Sequence, residues 1–172
     1  MSAHDEVEEH VQHAHDPFDK TVAGTMAIIA AFLAVVSVLA QHFNTEKLLI
    51  QGKVSDTWAY SQAKDIRHYV AQATRDSLKD LRPGSAVANT YEQDAKRYKK
   101  EAADIQEKAR DLEKERDANG AKADRFHFGE VFLEIAIVLS SLAILTKRKP
   151  FFWAGAIAAV AGIVIGVTAY WA

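Results

Sequence analysis

No cysteine occurs in this chain, so it has no disulfide framework, no thiolate nucleophile and no clue to the redox state of its compartment. It also lacks an excess of either charge: 21 Lys and Arg stand against 23 Asp and Glu. That balance argues against a nucleic-acid partner, which needs a clear basic surplus. A Gly-rich phosphate loop, a nucleophile–base pair and zinc-site spacing are missing too, so neither an enzyme nor a resident cofactor is expected. Helix breakers are scarce in one long stretch: Gln41 to Leu81 contains no proline and a single glycine, Gly52. No cleavable signal is expected, because the first twenty residues are acidic and the first apolar run is too long.

What the chain does have is segregation. Val22–Ala40, Val131–Thr146 and Phe151–Trp171 are apolar runs that hold only one ionisable carboxylate or base among them, Glu134. Residues 42–130 between them carry 17 Lys and Arg and 16 Asp and Glu, the mixture of solvated helix faces. The 19 residues of Val22–Ala40 span ~28 Å as a helix, about one hydrocarbon core. Ala23, Ala27, Ala30, Ala31 and Ala34 give that helix a small-residue face.

The charged middle is periodic. Tyr91, Ala95, Tyr98, Ala102, Ile105, Ala109 and Leu112 step alternately by four and three, an apolar heptad seam. Ala59, Ala63, Ile66, Val70, Ala73 and Ser77 make a second. Between them Pro83 disfavours helix at Arg82 and Gly84 suits a turn. Thr90 with Gln93 three residues on reads as a capping box that starts the return. A turn centred near Gly84 opposes residues whose numbers sum to about 170, which sets Ile66 by Ile105 and Trp58 by Leu112. The same register brings Gly52 beside Asn119-Gly120, either as a hinge or as two tolerated local weaknesses.

The expected fold is all-α: a multi-pass membrane protein with three transmembrane helices, the first two extended into a long antiparallel coiled-coil hairpin. Its parts are an acidic tail (1–20), a first membrane helix (21–41), the hairpin (42–130, turn about 81–90), a second membrane helix (131–146), a basic turn (147–150) and a third membrane helix (151–171). Arg125-Phe126-His127-Phe128 reads as an interfacial collar, and Trp153, Tyr170 and Trp171 as interface anchors. Gly155, Ala159, Gly162 and Gly166 form a small-residue stripe suited to contact with another helix. The short basic loop Lys147-Arg148-Lys149 favours a cytoplasmic N-terminus with the hairpin on the far side. The bases near the hairpin's membrane ends and the acidic tail argue the other way.

The segments Trp58–Lys64, Arg125-Phe126 with Gly129-Glu130, Ile135–Leu139 and Leu145–Arg148 together resemble the bacterial membrane-protein family catalogued as domain of unknown function 4337, over roughly Phe18 to Trp171. The resemblance implies a helical, multi-pass protein of the bacterial inner membrane and no particular activity.

Three functional readings follow. The leading one is a non-catalytic structural or accessory protein that self-associates or docks another membrane protein through the hairpin and the Gly/Ala-rich third helix. The second is an oligomeric cation channel or transport subunit. Glu130, Glu134 and Ser141 share a helical face, with Ser37 and Gln41 opposite as hydrogen-bond partners, and stacked carboxylates concentrate cations at a pore mouth. The blander account of Glu134 is a buried polar contact between helices. The third reading is a divalent-metal tail using His4, His10, His13 and His15, against which stands a simply solvated tail.

Overall fold

The computed structural model describes residues 17–171. It contains three α-helices: α1 (Pro17–Leu81), α2 (Ala86–Thr146) and α3 (Lys149–Thr168), which runs into a 3₁₀ turn at Ala169–Trp171. No strand occurs among the described residues. Each of the three helices contains a stretch long and apolar enough to cross a membrane. The chain divides into two compact units, one reaching up to Asn44 and resuming at Gly120, the other Thr45–Asn119.

The turn between α1 and α2 is tighter than the capping box suggested. Gly84 adopts a positive φ of 83°, which glycine enters without a Cβ clash. Ser85 N donates to Arg82 O, and Ala88 N to Ser85 O. The return helix therefore starts at Ala86, and Thr90 lies inside it with its hydroxyl directed at Ala86 O. Gly52 and the Asn119-Gly120 pair are helical in continuous helices, so neither position is a break. The basic turn is also shorter: Lys147 takes a left-handed conformation (φ 55°) and α3 begins at Lys149, with Pro150 in its first turn, where the missing N–H costs nothing.

In the first unit α2 and α3 pack through small residues. The buried face of α2 is Phe126, Gly129, Leu133, Ala136, Ser140 and Ala143; that of α3 is Gly155, Ala159, Gly162 and Gly166, continued by Ala169 of the 3₁₀ turn. A Cβ on Gly129 would lie 2.8 Å from Gly162 O, one on Gly162 2.8 Å from Gly129 O, and one on Gly155 2.9 Å from Ser140 Oγ. The glycine stripe thus packs on another helix, as expected, and that helix is α2 of the same chain. Ile29, Val36 and Ala40 of α1 complete this core. The alanine face of α1, Ala23, Ala27, Ala30, Ala31 and Ala34, is exposed. At one end of the unit Phe43 stacks on Phe126, Tyr170 meets Phe126 edge-on, and Arg125 Nη1 donates to Thr168 O, which supplies a cation at the end of α3. At the other end Phe18 meets Phe152, and Lys147 pairs with Asp19.

In the second unit the two helices run antiparallel, with Ala88, Ala95, Ala102 and Ala109 of α2 buried and Tyr91, Tyr98, Ile105 and Leu112 half-buried. The face of α1 that meets them is not the expected one. Ile50, Val54, Ser61 and Ala71 are buried, whereas Ala59, Ala63, Ile66, Val70, Ala73 and Ser77 are exposed. Both sets obey the same four–three count, so periodicity alone does not choose between them. The buried set is the one whose polar members find partners on α2. Trp58 Nε1 donates to Glu113 Oε1 at 2.9 Å, Lys64 Nζ to Glu101 Oε2 at 2.6 Å and Ser61 Oγ to Ala102 O at 3.3 Å. His68 Nδ1 lies 2.8 Å from Ala95 O. Trp58 bonds Glu113, the neighbour of the Leu112 that the register set opposite it, and Ile66 is exposed at the rim of a groove that it shares with Tyr91 and Tyr98.

Candidate functional site

Glu130 is the carboxylate around which the polar groups of the first unit gather. Its side chain is 17% exposed. Ser37 Oγ donates to its Oε1 at 2.6 Å, and His127 Nδ1, one turn earlier on α2, lies 2.9 Å from its Oε2. Ser37, Gln41 and Asn44 from α1 and Asp124, His127 and Glu130 from α2 line a cavity of about 280 Å³. Oxygen acceptors predominate there, a chemistry suited to a hard cation.

Glu134 does not join this group. One turn beyond Glu130 it is exposed, as is Ser141 two turns later. The polar partner anticipated for the Glu130–Glu134 face, Ser37, bonds Glu130. Among the described residues no cluster of three or more His, Cys, Asp or Glu side chains is placed to hold a metal ion. His4, His10, His13 and His15 lie outside the described residues.

The second unit offers an exposed apolar stripe, and beside it a groove of about 300 Å³ in which Ile66 and Val70 of α1 meet Tyr91 and Tyr98 of α2. On the side of α1 remote from its buried seam lie Ala59, Ala63, Ile66, Val70, Ala73 and Ser77, with Ile66 63% and Val70 60% exposed. Heptad arithmetic puts Tyr60, Gln62, Arg67, Tyr69, Thr74 and Asp76 along its edges, so only two edge positions are charged, and Asp76 is paired with Arg75 at 2.6 Å. The outer face of α2 is different: Lys96, Lys99, Lys100, Glu107, Lys108, Arg110, Asp111 and Lys114 are all exposed there.

Ion pairs fix the two helices of this unit against each other. The Glu101 carboxylate raises the Lys64 ammonium above its usual range, chiefly by accepting its hydrogen bond, and Glu101 is lowered in return. Glu92 is pulled down to about 2 by the ammonium groups of Lys96 and Lys79. Periodicity did not reveal these cross-helix partners. A four–three count begun at Ile50 and Val54 reaches Ser61, Lys64, His68 and Ala71 and would have found Lys64, though not Lys79.

No curated protein and no solved structure matches the chain significantly. A family model matches residues 18–172, a span that excludes the four tail histidines and takes in both units. The chain belongs to the family described as Domain of unknown function (DUF4337).

Proposed function

We propose that this is a non-catalytic accessory protein of the bacterial inner membrane, anchored by three helices and docking a protein partner through its helical hairpin. The observation that carries the reading is the exposed apolar stripe Ala59–Ser77 on α1. A solvated two-helix hairpin needs one seam; a second of the same spacing on its back is an uncovered apolar surface that marks a protein contact. The glycine face of the third helix packs on α2, so the reading rests on the hairpin. Lysine-directed crosslinking of the full chain in membranes tests the reading. A crosslinked product that disappears with Ile66→Glu and Val70→Glu supports it; a chain that is never crosslinked overturns it.

A second reading, a cation-conducting or transport subunit, draws on the Glu130 cavity with its oxygen donors from Ser37, Gln41, Asn44 and Asp124. Flux through reconstituted protein that is abolished by Glu130→Gln or Glu134→Gln supports this alternative, and flux unchanged by both variants removes it.

A further inference from the structure

The stripe on α1 is specific enough to identify what covers it. Its positions from Ala59 to Ser77 hold three alanines, one isoleucine, one valine and one serine, and none of them is charged. The chain shows within itself what such a surface packs against. On the opposite face of α1, Ser61 bonds Ala102 O, and Ala71, Ala95 and Ala102 are all buried, a seam made largely of small residues. A stripe built on Ala59, Ala63 and Ala73 is complementary to a copy of itself for the same reason, since two alanine-rich ridges approach closely.

Charge points the same way. The edges of the stripe carry one base, Arg67, and one acid, Asp76, which Arg75 already neutralises. A strongly charged partner finds only Arg67 to pair with, whereas a nearly uncharged stripe is compatible with itself. The exposed lysines of α2 lie on a different face, so two copies meeting through α1 keep their basic surfaces apart. Copies anchored in one bilayer also share an orientation, so α1 meets α1 in parallel. In that arrangement the four–three positions face their equivalents, and Gln62 of one copy reaches Arg67 of the other. Asp56, the next position of the count before Ala59, would face its own equivalent, and this like-charge pair ends the contact.

We infer that the partner of the hairpin is a second copy of this chain, packed in parallel through Ala59, Ala63, Ile66, Val70 and Ala73. The inference rests on the docking reading above and names its partner. The 19 residues from Ala59 to Ser77 make a contact ~28 Å long which, about one helix diameter (~10 Å) wide, covers ~280 Å², well short of the ~800 Å² per partner of a stable interface. Anchoring is therefore part of the device. Confinement in the bilayer raises the effective concentration of one hairpin at another. Within the first unit α1 separately bares Ala23, Ala27, Ala30 and Ala34, residues that favour close helix approach in lipid.

The absence of native cysteine makes the test direct. Single substitutions Ile66→Cys and Val70→Cys, on exposed positions that do not disturb folding, are oxidised in membranes beside Ala103→Cys on the exposed face of α2. Disulfide-linked homodimers are expected at Ile66 and Val70, several-fold above the yield at Ala103, because only short Cα separations can be bridged. Equal yields at all three positions overturn the inference. If lysine crosslinking joins the chain to a different polypeptide and the cysteines stay reduced, the second copy is overturned while the docking reading stands. If neither chemistry gives a product, both fall.

Discussion

Glycines divide sharply by what a methyl group would meet. Gly129→Ala puts a Cβ 2.8 Å from a backbone carbonyl of α3, and a backbone cannot step aside as a side chain can. We expect a loss of ~1–3 kcal/mol, read as a lower unfolding midpoint in detergent. Gly52→Ala meets nothing within 4 Å in a helix interior and should gain up to ~1 kcal/mol; a loss there would show that the open side of Gly52 is occupied. Glu130 gives a second contrast. Ser37→Ala leaves Oε1 without its 2.6 Å donor and should cost ~1.5–3 kcal/mol in the same measurement, whereas Ser141→Ala, exposed, should cost little. The sequence showed that Ser37 and Glu130 oppose each other, because register follows from the turn. It did not show that Glu130 rather than Glu134 takes the bond, since both lie on one helical face and only the packed rotation of α2 separates them.

Helices α1 and α2 were legible as elements, and their antiparallel course followed from the Pro83-Gly84 turn. The face of α1 used inside the chain was not. Two seams two residues apart have identical spacing, and the more apolar one lies outside while the more polar one is buried. Apolarity picks the wrong seam when a buried face is held by cross-helix hydrogen bonds such as Trp58–Glu113 and Lys64–Glu101. Electrostatics at this level predicts a pH dependence. Glu92 has a folded pKa depressed from 4.5 to about 2 by Lys96 and Lys79. A depressed carboxylate stabilises the fold above its unfolded pKa, and this contribution is lost as pH falls from 4.5 towards 2. Circular dichroism in acid should show the hairpin loosening in that window, and Glu92→Gln should flatten the change. Packing at this level predicts that Ala102→Leu, at a position 2% exposed, forces α1 and α2 apart at a cost of ~1–3 kcal/mol. Ala63→Leu on the exposed stripe should leave the unfolding midpoint of the unassociated chain almost unchanged.

Orientation in the bilayer is a property of the first unit, whose two ends are chemically distinct. One end gathers Phe18, Asp19, Lys20 and the Lys147-Arg148-Lys149 turn, with the Asp19–Lys147 pair joining them. The other gathers Phe43, Arg125, Phe126 and Tyr170, where Arg125 is engaged with Thr168 O and Lys122 lies over the Phe43 ring. Orientation is set by Lys and Arg in short loops, while acidic residues contribute little. The turn between α2 and α3 is the shortest connection and carries three bases, so its end should face the cytoplasm. The start of α1 should go with it through Asp19, and the Tyr170 end and the hairpin are then expected outside the cytoplasm. A membrane-impermeant maleimide applied to intact cells should label Asn89→Cys, beside the helix turn, and should not label Arg148→Cys until the membrane is opened. The reverse pattern would mean that the bases near Arg125 outweigh the short turn. The hairpin contact between copies would then form on the cytoplasmic side, with the same residues facing one another.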